Sequence, residues 1–378
     1  MREGERRMSY LGESIPKLGF GLMRLPRLED GETIDVEQVK QMVDAFLEAG
    51  GTYFDTARAY GESENAIRQA LVERYPRESF QLATKNAAWI GPKSYEDARK
   101  DFDISLKNTG AGYFDFYLIH NTGGARTKVF DDLEMWDFVK QLKAEGKVKH
   151  IGFSHHDSAE VLESIIVAHP EMEFVQLQVN WADWDNANTQ SRKCVETARR
   201  HGLSVVIMEP VRGGTLANPP EAVAKILHEG HPDWTYVEWA IRFALGTEGL
   251  ITMLSGMSSL EQMQQNIATW KAWEPLNGDE TAVLDRARAK LDEMLDNPCT
   301  NCQYCMKACP KDIKIAPVME ALNRRGMYGD ANGKNWYGFQ TANGGKASEC
   351  IQCFSCEAAC PQHIEIVGKL EKAVELFE

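Results

Sequence analysis

Cysteine is nearly absent from the first 298 residues of this 378-residue chain, where Cys194 stands alone. A disulfide-stitched secreted fold would scatter its cysteines, so that class is excluded and a reducing, cytoplasmic setting is expected. Cys194 falls on an expected helix and reads as an ordinary buried thiol. Long apolar runs are also missing. None approaches the roughly 20 residues that span a bilayer, so no membrane association is expected. The start, Met1-Arg2-Glu3-Gly4-Glu5-Arg6-Arg7, has no apolar stretch behind it, unlike a secretory signal, and neither end carries a lipidation motif. Basic charge is in deficit. A formal net charge of −14 speaks against a nucleic-acid partner, which would need a basic footprint. It fits a solvated acidic surface, which could also steer a basic redox partner.

One further absence separates two folds. Residues 1–270 alternate short apolar runs with amphipathic stretches. Strands are expected at 18–23, 52–56, 80–85, 114–120, 148–154, 174–179, 204–209 and 250–254, most of them continuously apolar as in parallel strands covered on both faces. Between them Val36, Val39, Met42, Val43, Phe46 and Leu47 recur at helical spacing until Gly50-Gly51, and Leu133, Trp136, Val139 and Leu142 until Gly146. Ser94 with Asp97 looks like the cap of a helix reaching Leu106. A helix pair is expected at 221–228 and 234–245. An open dinucleotide-binding sheet would carry Gly-x-Gly-x-x-Gly after its first strand. Here Gly19-Phe20-Gly21 is followed by Arg24 where the third glycine belongs. Eight strand–helix units in about 250 residues therefore predict a closed (β/α)8 TIM barrel. A helical linker, 271–298, would pack on it through Leu284, Ala287, Leu291 and Met294.

The other eight cysteines form two runs of one pattern. They are Cys299-x2-Cys302-x2-Cys305-x3-Cys309-Pro310 and Cys350-x2-Cys353-x2-Cys356-x3-Cys360-Pro361. These runs resemble those with which bacterial-type ferredoxins hold cubane clusters through thiolates. Two [4Fe–4S] clusters in a small α+β ferredoxin-like domain, 299–378, are the expectation; zinc or a disulfide framework explains less of the repeat. The resemblance implies crossed ligation, with Cys360 joining the first three cysteines and Cys309 the second three. Between the runs a Gly- and Asn-rich insert carries Trp336, Tyr337 and Phe339. These aromatics are expected to cover the clusters or pack on the barrel, and lining the substrate mouth is the alternative.

Barrel enzymes keep their chemistry at the C-terminal ends of strands. Asp55 closes Tyr53-Phe54-Asp55, Lys85 closes Leu82-Ala83-Thr84-Lys85, His120 closes Tyr117-Leu118-Ile119-His120, and Tyr60 follows Asp55 by five residues. Each has an ordinary structural explanation alone; together they do not. The segment from Phe54 through Asp55-Thr56-Ala57-Arg58-Ala59-Tyr60-Gly61 to Glu64, the Lys85 and His120 strand ends, and Ile151-Gly152-Phe153-Ser154 resemble the aldo-keto reductase family over residues 8–270. The resemblance implies a catalytic tetrad of Asp55, Tyr60, Lys85 and His120. A phenol with its reference pKa of about 10 is a poor acid at neutral pH, and a nearby ammonium lowers that value. Lys85, held by Asp55, would do this while His120 orients a carbonyl.

The resemblance also implies NADP(H) or NAD(H). Ser154 and Gln176 match residues that hold the carboxamide, with His155 where asparagine is usual. Met208 stands where a tyrosine stacks on the nicotinamide. Arg212 would meet the pyrophosphate and Asn266 the adenine. Gly256 and Gln262 occupy positions where NADPH-specific members place Lys and Arg. His156 and Glu209 are further polar groups near the expected mouth. Three functions follow: a nicotinamide-dependent reductase of a small carbonyl substrate; an electron-transfer enzyme served by a ferredoxin or flavoprotein; or a non-catalytic redox sensor, against which the intact tetrad argues.

Overall fold

The computed structural model describes residues 11, 14–91, 94–187 and 189–378, so the charged start at 1–7 lies outside them. Contacts divide the chain into two units. One takes Met1–Asp185, Gln190–Pro210 and Ala240–Leu276; the other takes Asn186–Thr189, Val211–Trp239 and Asn277–Glu378.

All eight expected strands form, each on a short, mostly apolar run; the charges near the start of two of them, Asp115 and Lys149, pair with each other at 2.8 Å. They are β1 (Leu18–Gly21), β2 (Tyr53–Asp55), β3 (Gln81–Asn86), β4 (Phe114–Thr122), β5 (Val148–His155), β6 (Phe174–Gln178), β7 (Ser204–Met208) and β8 (Leu250–Gly256). Every neighbouring pair is parallel, and β8 returns to β1 to close a barrel. Tyr53, Phe116 and Phe174, from β2, β4 and β6, fill its interior, with ring centroids 5.0 and 5.2 Å apart. The intervening helices include α1 (Val36–Glu48), α2 (Ser63–Ile67) and α3 (Tyr95–Thr109), where Ser94 accepts from the Asp97 N–H as its cap and Gly110 ends the helix at φ 65°. They continue with α4 (Ala125–Asp132), α5 (Met135–Ala144), α6 (Ala159–Ala168), α7 (Ser191–Arg200), α8 (Glu221–Gly230), α9 (Tyr236–Leu245) and α10 (Leu260–Lys271). Cys194, on α7, is buried, and burial pushes its thiol up to about 12.

The second unit continues with α11 (Gly278–Asp292), α12 (Tyr304–Ala308), α13 (Ile315–Tyr328), α14 (Asp330–Gln340), α15 (Ser355–Ala358) and α16 (Ile366–Phe377). The linker helix α11 lies against α8 within this unit; a Cβ on Gly230 would come within 2.6 Å of Val283. The small domain was expected to be α+β, and this is corrected: among the described residues, 299–378 contains helices and no strand. The cysteine runs turn too often to pair as strands, and the Gly- and Asn-rich insert closes as α14. There Tyr337 is buried, Trp336 packs against the unit's core beside Arg324, and Phe339 is exposed. Among the described residues no helix is long and apolar enough to cross a membrane.

Candidate functional site

Parallel closure brings the polar strand ends to one rim of the barrel. Lys85 is wholly buried at the end of β3. Its Nζ donates to Asp55 Oδ1 at 2.5 Å and to the Thr56 carbonyl at 2.7 Å. Burial pushes the Asp55 carboxyl up and the Lys85 ammonium down, and the ion pair between them opposes both shifts. Tyr60 lies in the turn after β2, where its N–H donates to the Ala57 carbonyl. The Lys85 ammonium stands 4.8 Å from the centre of its ring, and His120 meets that ring edge-on at 5.8 Å. All four residues of the expected tetrad thus lie in one cluster. Trp89 adds a second aromatic edge on His120 at 6.0 Å.

The residues expected at a nicotinamide divide into two groups. Gln176 is buried on β6, and its Oε1 has no hydrogen-bond partner. An unsatisfied buried carbonyl is costly unless something supplies a donor, and a carboxamide NH2 is such a donor. Ser154 accepts from the Asn121 N–H at 2.7 Å, which leaves its own hydroxyl proton to give. These two fit the group. His155 does not: Nδ1 pairs with the Thr122 hydroxyl and Nε2 with the Ser158 carbonyl, so both ring nitrogens are committed to the wall. Burial brings its pKa down to about 4 and keeps the ring neutral. Asn266 is also committed, donating to Ser255 Oγ at 2.9 Å from α10. Met208 ends β7 half-buried. Arg212 belongs to the second unit, where its guanidinium is buried and its charge eases the ionisation of Cys299.

Two residues not singled out from the sequence join the rim. Asn121 is fully buried at φ 63°, and neither amide atom of its side chain has a partner. The polar run His120-Asn121-Thr122 at the end of an apolar strand is the sequence signal that marks it. Glu64 is buried on α2, accepts from Thr84 Oγ1 at 2.9 Å and Asn108 Nδ2 at 3.1 Å, and helps to hold charge on Lys85.

In the second unit the two cysteine runs fold alike. Asn301, Gln303 and Asp312 take positive φ, and so do their counterparts Gln352, Phe354 and His363. This geometry turns the Asn301 N–H onto Cys299 Sγ and the Gln352 N–H onto Cys350 Sγ, both at 3.4 Å. Each run is followed by one long helix, α13 or α16, at the same offset. Two small hollows with matching linings result. Cys299, Cys302, Cys305 and Cys360 line the first, among Ala316, Met319, Ile364 and Ile366. Cys350, Cys353, Cys356 and Cys309 line the second, among Ile313, Ile315, Val367 and Leu370. The crossed grouping expected of the fourth cysteines is therefore present in the cavity walls. Burial pushes Cys299 and Cys356 to about 11 as bare thiols and Cys305 up as well. Four sulfurs around an otherwise apolar hollow suit a cationic iron–sulfur core, which would draw them into the thiolate form. No three His, Cys, Asp or Glu side chains among the described residues are gathered as for a single metal ion. The cavities differ in exposure: Thr300 is buried in the first, whereas Ile351 and Phe354 on the second are 56% and 55% exposed and Cys353 is exposed.

Comparison with known proteins agrees with both units. Residues 17–289 match the model of the aldo/keto reductase family, and residues 298–365 match a 4Fe-4S dicluster domain. An aldo-keto reductase of Mycolicibacterium vanbaalenii is 29% identical over 275 residues, covering 72% of this chain and 88% of that protein. One from Mycolicibacterium smegmatis is 30% identical over 146 residues, so that the chain spans 48% of its length. Among solved structures, the holo form of an aldo-keto reductase from Bacillus halodurans has a TM-score of 0.59 at 23% identity, covering 73% of this chain and 93% of that one. One from Klebsiella pneumoniae, in complex with NADP and acetate, has a TM-score of 0.55 at 20% identity, covering 72% and 91%. Eight parallel strands closed into a barrel, with this family's match over most of the chain, make the protein a member of the aldo/keto reductase family, with a 4Fe-4S dicluster domain following it in sequence.

Proposed function

We propose that the barrel reduces an aldehyde or ketone with NADPH or NADH and that the cysteine runs hold two [4Fe–4S] clusters. One observation carries the catalytic part: the Lys85 ammonium, fixed by Asp55 and the Thr56 carbonyl, lies 4.8 Å from the Tyr60 ring. A bound reduced nicotinamide would supply the hydride that reaches the carbonyl carbon. Tyr60 gives its phenolic proton to the carbonyl oxygen, and the product is an alcohol. The Lys85 charge stabilises the phenolate left behind, which takes a proton back from water. His120 holds the carbonyl oxygen in line with that proton. Ser154 and Gln176 would grip the carboxamide. The NADP in the Klebsiella relative supports this choice of cofactor. The cysteine usage supports a reducing, cytoplasmic setting.

Turnover of an aldehyde panel by wild type and Tyr60→Phe, with nucleotide binding followed by fluorescence, tests this reading. Tyr60→Phe should lose reduction and keep binding; retained turnover removes Tyr60 from its role.

The exposure of Cys353 favours a second reading, in which the clusters exchange single electrons with a ferredoxin or flavoprotein. Anaerobic titration with each nucleotide separates the two. Direct nucleotide binding with carbonyl turnover supports the first. Cluster bleaching only when a flavoprotein is added supports the second.

A further inference from the structure

The two cysteine runs repeat one backbone, so each residue of one has a counterpart in the other. Thr300-Asn301-Cys302-Gln303-Tyr304 corresponds to Ile351-Gln352-Cys353-Phe354-Ser355. In the first run Thr300 and Tyr304 are buried, and the exposed position, 303, carries glutamine. In the second run all five residues are exposed, and Ile351 and Phe354 among them are apolar. Gln303 and Phe354 share a left-handed backbone, at φ 65° and 59°. That conformation costs a bulky side chain most, and Phe354, on the surface, recovers little of the cost by burial. Ile351 and Phe354 also line the hollow of Cys309, Cys350, Cys353 and Cys356. The same two side chains therefore border both solvent and the cluster site. Scattered exposed apolar residues are ordinary, but two flanking an exposed ligand cysteine form a patch. Its rim is acidic. Glu371 is exposed and accepts from Gln352 Nε2 at 2.8 Å. Glu349, exposed, directly precedes Cys350, and Glu357, half-buried, lies one turn beyond Phe354. Lys311 lines the hollow and the Lys346 N–H donates to Glu349, so the carboxylates of 349, 357 and 371 outnumber the ammoniums of 311 and 346.

We propose that Ile351 and Phe354 form the docking face for a flavoprotein whose flavin edge is ringed by basic residues, and that this protein passes single electrons to the cluster bounded by Cys309, Cys350, Cys353 and Cys356. An apolar centre inside a charged rim is the make-up of a protein interface, and a small one suits a transient redox encounter. The negative rim selects a basic partner and speeds its approach. A nicotinamide releases electrons in pairs, as hydride, whereas a cluster takes one at a time. A flavin does both, which selects a flavoprotein over a second iron–sulfur protein. In each encounter the reduced flavin loses one electron and one proton. The cluster gains the electron, passing from its oxidised to its reduced state, and the proton goes to water. The inference rests on the reading of the clusters as electron carriers and adds the port and the partner to it.

The test uses iron-loaded, full-length protein under anaerobic conditions, as wild type, Ile351→Gln, Phe354→Gln, Glu371→Lys and, as a control at an exposed site on α14, Phe339→Gln. Iron counting and EPR verify that each variant carries its clusters. The probe is a purified FAD-dependent NADPH reductase with a basic surface around its flavin, labelled for fluorescence anisotropy. Reduced methyl viologen, which needs no docking face, serves as the small-molecule donor. Wild type should bind the reductase and lose cluster absorbance faster than with NADPH alone. Phe354→Gln should bind about ten-fold or more weakly and bleach correspondingly slower, with Ile351→Gln less affected, and viologen should bleach both as fast as wild type. Glu371→Lys should slow the reaction at low salt, with the difference closing at high salt. Phe339→Gln should behave as wild type. If viologen leaves the wild-type clusters unreduced, the electron-carrier reading fails and the proposal with it. If viologen reduces them but the reductase neither binds nor bleaches wild type, or if Phe354→Gln and Ile351→Gln both match wild type, the reading stands and this docking face is overturned.

Discussion

Both ring nitrogens of His155 are committed inside the wall, and its folded pKa lies near 4 against 6.5 in the unfolded chain. Between those values the unfolded chain binds a proton that the fold refuses. The contribution is therefore complete above pH 6.5 and is lost as pH falls toward 4, by about 3 kcal/mol at most. Wild-type Tm should decline across that window, and His155→Asn should flatten the decline in calorimetric scans from pH 7 to 4. Tyr60 makes a different prediction, because removal of a general acid typically costs about 10²-fold or more in rate. Tyr60→Phe should show that drop in kcat/KM for aldehydes with little change in Tm. The cluster of Asp55, Tyr60, Lys85 and His120 was legible in the sequence only as a set, because ionisable groups close several consecutive apolar runs. Asn121 was not, since it sits in a polar run that also suits a turn.

Elements were easier to read than their edges. All eight strands appear within about two residues of expectation, since parallel strands need continuous apolar runs and little else. Close approaches between them are set by packing. Gly152 on β5 leaves no room for a methyl group: a Cβ there would lie 2.5 Å from the Phe174 carbonyl on β6. Gly152→Ala should cost about 1–3 kcal/mol, read as a lower urea midpoint at unchanged m-value. The small domain misled expectation because the cysteine spacing specifies ligands and turns, whereas α14 depends on burying Tyr337 against α16. The crossing of the fourth cysteines can be tested on this element. Cys309→Ala should impair the cluster bounded by Cys350, Cys353 and Cys356 and spare the other. Iron counting with EPR of the reduced protein would show one altered signal, whereas damage to the first cluster instead would refute the crossing.

At the scale of the whole molecule the two units draw on different sources of stability. The barrel closes on its own apolar interior. The second unit counts Cys305, Cys356 and Cys360 among its buried core residues, so iron and packing are coupled there. Stripping iron with a chelator should therefore make 299–378 sensitive to trypsin while fragments spanning the barrel strands stay protected, which mass spectrometry of a timed digest would show. The −14 charge was legible from composition and belongs to no particular site. By itself the sequence determined the periodic apolar runs, the polar strand ends and the cysteine spacing, because these depend on neighbours a few positions apart. Tertiary structure alone decided that His155 spends both ring nitrogens and Asn266 its amide N–H on the wall, and that one cavity leaves Cys353 at the surface. Those outcomes depend on which distant strand closes beside which, and a side chain's free hydrogen-bonding capacity is settled only after its neighbours have taken their share.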